Sequence, residues 1–76
     1  MNDNDQIALA ARLRQARLAK GWTTGDVARA LELEHDHGII MYEENGIEPS
    51  LKMLRRLAFV LEVPLEWLIT GHRCTP

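Results

Sequence analysis

This 76-residue chain contains three histidines and one cysteine, the side chains that most often bind transition metals in proteins. His35 and His37 flank Asp36, but imidazoles two residues apart on a helix do not face one another. His72 and Cys74 form a second pair near the end of the sequence, without the two further ligands that a tetrahedral zinc site requires. We therefore expect no metal and no cofactor.

The spacing of the side chains does not indicate a catalytic site either. The sequence contains neither a Ser/His/Asp set nor a Cys/His pair at the spacing that an activated nucleophile needs. The sequence has no glycine-rich loop that could cradle phosphates, and a chain of this length leaves little room for a substrate pocket. We predict that the protein is not an enzyme.

Composition places the chain among small globular domains, since 46% of its residues are apolar and 26% are charged. No stretch approaches the roughly 20 apolar residues of a membrane span, and no charged-then-apolar leader opens the sequence. The single cysteine cannot form an internal disulfide, which is typical of a reducing compartment. We expect one cytoplasmic domain over residues 1–76, with a core of about 6–71 and a flexible tail at 72–76.

The first two helices are predicted from apolar periodicity and from their end signals. Polar N-cap residues at 2–5 open an amphipathic helix that stops at Gly21. Thr23, with Asp26 three residues later, has the capping-box pattern that starts a second helix. This second helix is expected to end around residues 32–33.

Three further helices complete the prediction. The third begins between residues 34 and 36, Ser50 caps the fourth, and Pro64 is the first residue of a fifth that Gly71 ends. No segment alternates as a β-strand would, so the sequence predicts an all-α domain of five helices. The apolar members of the helical stripes form the predicted core: Leu13, Trp22, Val27, Leu31, Leu54, Leu57, Ala58, Leu61, Trp67 and Leu68.

The second and third helices, joined by a short turn, have the form of the unit that lays its second helix in the DNA major groove. Spaced motifs accompany them: Leu13-Arg14-x-x-Arg17, Gly21-Trp22-Thr23, Val27-Ala28, Tyr42-Glu43, Pro49-Ser50 and Leu61-x-Val63-Pro64-Leu65-x-Trp67-Leu68. With these motifs the chain resembles the phage-repressor type (Cro-like, Xre family) helix-turn-helix domain over about residues 9–71. The resemblance implies a compact five-helix fold of the lambda-repressor-like helix-turn-helix type.

The resemblance also implies roles for particular residues. Arg17 and Glu43 would form an internal ion pair that braces the third helix. Thr23 would cap the second helix, with its hydroxyl and backbone amide near a DNA phosphate. Thr24 stands where members of the family usually carry glutamine, and it can still touch a phosphate. One extra residue lies among 34–38, relative to the family pattern.

The outward face of the third helix offers few groups that read bases. His35 and His37 are possible donors, and Ile40 and Met41 are possible contacts to thymine methyl groups. Residues 32–48 contain six acidic residues and no lysine or arginine, so the side chains that most often read guanine are absent there. Acidic side chains facing phosphates lower affinity.

Arg29 and Lys52 are the basic residues that we predict to reach phosphates, although solvated helix faces also carry such charges. On this interpretation the protein is a sequence-specific transcriptional regulator that binds double-stranded operator DNA as a homodimer. The alternative is a helix-turn-helix-derived protein-interaction module with reduced or lost DNA binding, which contacts another regulator protein through Ile40, Met41 and the acidic surface around them. The acidic segment favours the alternative.

Overall fold

A computed structural model describes the backbone of residues 3–71 and the side chains of residues 8–71. The described residues form five helices and no strand: α1 (Asp3–Ala19), α2 (Thr24–Ala30), α3 (His37–Glu44), α4 (Leu51–Leu61) and α5 (Leu65–Thr70). The predicted all-α, five-helix architecture is confirmed. The tail predicted at 72–76, with His72 and Cys74, lies outside the described residues.

Helix α1 ends where the sequence predicts, because Gly21 turns the chain into the left-handed region with a φ of 72°. The Gly21 amide donates to the Leu18 carbonyl at 2.9 Å, and the Trp22 amide donates to the Arg17 carbonyl at 3.2 Å. This pair of bonds is the Schellman arrangement, which satisfies carbonyl groups at the end of a helix.

Helix α2 is shorter than predicted, because it ends at Ala30 and not around residues 32–33. Glu32 adopts a left-handed conformation with a φ of 61°, and the Leu33 amide reaches back to the Ala28 carbonyl at 2.8 Å. This is again a Schellman ending, but here the left-handed residue is a glutamate. Nothing in the residue type signals that ending, since L-residues other than glycine rarely adopt this conformation.

Helix α3 begins at His37, later than the predicted start between residues 34 and 36. The connection from α2 therefore occupies residues 31–36, and Asp36 stands at the N-cap. The Asp36 side chain makes no capping hydrogen bond to α3, and the residue has φ −92° and ψ 7° instead of the usual extended conformation. The start is displaced because the chain needs these residues to complete the turn after α2.

Helix α4 has the apolar face that its sequence predicts, and Ser50 caps it by accepting a hydrogen bond from the Met53 amide at 3.1 Å. In α5 the prediction was wrong by one position. Pro64 is the N-cap, with φ −64° and ψ 136°, and is not the first helical residue. Its fixed φ suits either position. Gly71 ends α5 as predicted, with a φ of 82°.

The buried apolar side chains form one cluster between the five helices, in which α1 contacts α3 and α5, α4 contacts α2 and α5, and α2 contacts α3. Trp22 and Trp67 are only partly buried and pack against this cluster from outside, which corrects their predicted place inside it. The Lys20 ammonium lies 4.7 Å from the centre of a Trp22 ring, which is a cation-π contact. The members of the cluster are Leu9, Leu13, Ala16, Val27, Ala28, Leu31, Ile39, Leu54, Leu57, Ala58, Leu61 and Leu68.

Candidate nucleic-acid interface

The orientation of α3 is fixed by an ion pair to α1. Arg17 Nε donates to Glu43 Oε2 at 2.8 Å, and Arg17 Nη2 donates to Glu43 Oε1 at 2.9 Å. The two side chains are only 12% and 5% exposed, respectively. A two-point bond between planar groups sets angle as well as distance, so it holds α3 in one rotation about its axis.

The surroundings of this pair are mostly apolar. Arg17 Nη1 also donates to the Trp22 carbonyl at 2.9 Å. The guanidinium therefore links α1 both to α3 and to the segment just before α2. A cavity of about 10 Å³ lies beside the pair, roughly the space that one water molecule needs. The hydrogen bonds to Glu43 raise the pKa of Arg17 above its ordinary value, against the opposing effect of desolvation.

The face of α3 opposite the core carries the candidate base-reading residues. Ile39 is buried, and the spacing of a helix then places His37, Met41 and Glu44 along the opposite side. His37 and Glu44 are exposed, while Ile40 and Met41 are half-buried. Ile40 lies between the core side and the outward side, so Met41 is the apolar residue that points most directly away from the core.

Thr23 forms a complete capping box at the start of α2. Its hydroxyl accepts a hydrogen bond from the Asp26 amide at 3.1 Å, and its amide donates to Asp26 Oδ2 at 2.9 Å. The hydrogen bond from the Thr23 amide lowers the pKa of Asp26, and the Thr23 side chain and Arg29 lower it further. The Thr23 amide, which was expected near a phosphate, is thus already bound to a carboxylate.

Thr24 is also engaged within the protein. Its hydroxyl donates to Asp36 Oδ2 at 2.6 Å, which joins the first turn of α2 to the N-cap of α3. Sequence reasoning missed this contact, because an aspartate at an N-cap ordinarily accepts from the amides of its own helix. The connection from α2 to α3 must be known before the two side chains can be seen to meet.

The structure brings Arg29 and His35 together, but in the company of acidic groups. Both line a shallow groove of about 450 Å³ between α2 and the connection to α3, together with Glu34 and Asp36. Arg29 Nη1 lies 3.7 Å from Asp26 Oδ1, and His35 Nε2 lies 4.0 Å from Glu34 Oε2. Arg29 and His35, the candidate phosphate contacts of this region, therefore both stand beside carboxylates.

Lys52 is exposed in the first turn of α4. No hydrogen bond or ion pair joins it to the other candidates within the described part of the chain. The cations considered for phosphate contact therefore stand apart from one another, on α2 and α4, and do not form a connected cluster.

In the part of the chain that the structure describes, no group of three or more His, Cys, Asp or Glu side chains is placed to hold a metal ion. Within the same residues, no helix combines the length and apolar character needed to cross a lipid bilayer.

Comparison with known families agrees with this geometry. Residues 13–68 match the helix-turn-helix family, a span that includes α2, α3 and α4 completely. The chain belongs to this family, in its Xre and lambda-repressor-like form, whose domains are DNA-binding regulators and not enzymes. The comparisons with curated proteins and with solved structures gave no match.

Proposed function

We propose that the protein is a sequence-specific transcriptional regulator that binds an operator as a homodimer, with α3 as the reading helix. The bidentate bond between Arg17 and Glu43 is the observation that carries this proposal. It holds the core side of α3 against α1 and leaves the opposite side open, beside the N-terminus of α2. A reading helix needs a fixed rotation of this kind, because base contacts depend on which side chains point outward.

Base contacts would come from the outward residues of α3. Met41, flanked by Ile40, offers apolar contact to thymine methyl groups, and His37 can donate to guanine acceptors. Glu44 can accept from the amino group of cytosine. These residues favour a site with thymine, guanine and cytosine at the positions that Met41, His37 and Glu44 face, respectively.

Phosphate contacts would come from the elements on either side of α3. We assign them to Thr23 at the start of α2, to Arg29 at its end, to His35 in the connection and to Lys52 on α4. Thr24 joins them where a phosphate displaces Asp36 from its hydroxyl. Because only Arg29 and Lys52 are permanently cationic, the phosphate contribution is small, and the dependence of affinity on salt should be shallow.

The homodimer follows from the reach of a single domain. One reading helix covers a few base pairs, and two copies related by a two-fold axis would read half-sites one helical turn apart, about 34 Å. The second copy adds its own base and phosphate contacts, which compensates for the few cations that each acidic-centred chain brings.

A direct test starts with selection of binding sites from a random duplex library by the purified chain. The selected site is then titrated in mobility-shift experiments at two salt concentrations, beside a scrambled duplex of equal composition. We expect a preference for the selected site, a palindromic arrangement of half-sites and a complex whose mass corresponds to two protein chains. Equal affinity for both duplexes at both salt concentrations would contradict the proposal.

A second candidate function is supported by the charges around α3. Asp36 and Glu44 stand at the two ends of α3, with Glu34 exposed just before it, and no lysine or arginine lies between residues 32 and 48. Such a surface fits a protein-interaction module with reduced or lost DNA binding that contacts another regulator protein. In that case selection yields no enriched site, and substitution of Ile40 and Met41 abolishes association with a protein partner.

A further inference from the structure

A groove at the C-terminal end of α2 is lined by an exposed aromatic residue and two arginines. Among the described residues, Phe59 is the most exposed large apolar side chain, at 83%. It lines a groove of about 350 Å³ between the C-terminal end of α2 and the outer face of α4. The lining residues are Ala30, Leu31, Arg55, Arg56, Phe59 and Val60.

The apolar part of this groove is built and not accidental. Leu31, at its floor, is 2% exposed and belongs to the core, so the groove opens directly onto the packed interior. Arg56 Nη2 donates to the Leu31 carbonyl at 2.6 Å, which ties α4 to the end of α2 and fixes the width between them. An exposed phenylalanine beside aliphatic side chains gains free energy when a partner covers it.

The charge of the groove indicates which partner fits. Its lining includes Arg55 and Arg56 and no acidic residue. Within the part of the chain that the structure describes, no carboxylate lies within ion-pair distance of either guanidinium. The groove is therefore a cationic, apolar surface on a chain whose net charge is −2.

A second copy of this chain fits the groove poorly. Two grooves facing each other across a two-fold axis would bring Arg55 and Arg56 of both copies together, and like charges at an interface are unfavourable. Duplex DNA also fits poorly, because it presents phosphates and sugars and offers little apolar surface to cover Phe59.

We propose that this groove docks an acidic segment of a partner protein, with an apolar side chain of that segment packed on Phe59, Leu31 and Val60. The carboxylates of the segment pair with Arg55 and Arg56, and its apolar side faces the groove, as amphipathic helices bind elsewhere. The proposal does not depend on the reading of DNA by α3, since the two surfaces use different residues.

The probe for this proposal is a short synthetic helical peptide with leucine and phenylalanine along one face and glutamate on both flanks of that face, where it can reach Arg55 and Arg56. Titrated into the ¹⁵N-labelled full chain, it should shift the amide resonances of Ala30, Leu31 and residues 55–60. A peptide with lysine in place of glutamate should bind at least about tenfold more weakly, because the charges at the rim then repel. Shifts centred on α3, or equal affinity for the two peptides, would overturn the proposal.

Two substitutions on α4 distinguish binding at Phe59 from binding to any exposed apolar side chain. Phe59→Ala should weaken the peptide about tenfold or more, as the loss of a central aromatic anchor does. Leu51→Ala is the matched control on the same helix, since Leu51 is 54% exposed and lies outside the groove, and it should leave the affinity unchanged. Equal affinities for the parent and Phe59→Ala would overturn the proposal. A loss of self-association in Phe59→Ala would do so too, because the occupant would then be a second copy.

Discussion

Thr24 Oγ1 donates a 2.6 Å hydrogen bond to Asp36 Oδ2, and this bond joins the two helices of the helix-turn-helix unit at their N-terminal ends. Helix N-termini favour anions, and here the anion is supplied by the protein itself. The Thr24 hydroxyl, which could otherwise donate to a phosphate, is therefore already bound to Asp36. Asp36 also adds a negative charge at the same place.

Asp36→Ala should therefore raise DNA affinity, by about two- to fivefold, since it frees the Thr24 hydroxyl and removes one half-buried negative charge, an effect of up to about 1 kcal/mol. The loss of stability should stay near 1 kcal/mol, the value of one hydrogen bond, because Asp36 does not cap α3. Mobility-shift titration of Asp36→Ala and of the parent protein measures the change in DNA affinity.

The matched control is Glu34→Ala, which removes the same charge two residues earlier without touching Thr24. Its effect on affinity should be smaller. If the two substitutions raise the affinity equally, the charge alone acts and the hydrogen bond to Thr24 has no part in binding.

Arg17→Ala should destabilise the fold by about 3 kcal/mol or more, because it leaves the Glu43 carboxylate buried without its partner. For a domain of this size that corresponds to a fall in Tm of well over 10 °C, at roughly 4 to 8 °C per kcal/mol. Thermal unfolding followed by circular dichroism measures it, with the exposed Arg14→Ala as the control. A Tm equal to that of the parent would show that the pair does not brace α3.

The local signals in the sequence predicted most of the fold. Thr23 and Ser50 cap their helices through bonds to residues three positions away, so residue type and spacing are sufficient there. Gly21 and Gly71 mark helix ends because glycine enters the left-handed region without strain. These features depend on neighbours in sequence and need no knowledge of packing.

What the sequence did not predict depends on distant residues. Arg12 Nε donates to the Leu68 carbonyl at 2.8 Å and its Nη2 to the Ile69 carbonyl at 2.7 Å, so an arginine of α1 closes the end of α5. Arg56 of α4 does the same for α2 through its bond to the Leu31 carbonyl. Such contacts join residues far apart in the chain, and no local pattern encodes them.

Glu32→Gly should stabilise the protein by about 0.5 to 1 kcal/mol, because a glycine adopts the left-handed conformation at φ 61° without the strain of an L-residue. Glu62 has the same conformation, with a φ of 57°, but its carboxylate pairs with Lys20. Glu62→Gly should therefore gain less. Urea unfolding of the two variants tests this order, and a larger gain for Glu62→Gly would contradict it.

The capping box makes the free energy of unfolding depend on pH in the acid range. Since the hydrogen bond from the Thr23 amide lowers the pKa of Asp26, the folded state favours the carboxylate. This contribution is fully present above the ordinary aspartate pKa of about 3.9, and it is lost as the pH falls through the lower pKa of the folded state.

Asp26→Asn should accordingly lose less stability than the parent between pH 5 and pH 2, a range set by the ordinary pKa of about 3.9. Urea unfolding at a series of pH values measures both curves. Parallel curves over the whole acid range would mean that the Asp26 carboxylate has no linkage to folding.

The most direct test of α3 as the reading helix compares Met41→Ala with Lys52→Ala on the selected DNA site. Met41→Ala should lower the affinity for this site without changing the slope of log K against log salt, because apolar contact to bases releases no counterions. Lys52→Ala should weaken the selected and scrambled duplexes alike and reduce the slope by about one for each bound chain, or about two for the dimer. If Met41→Ala instead keeps the affinity and the preference of the parent, α3 does not read the DNA.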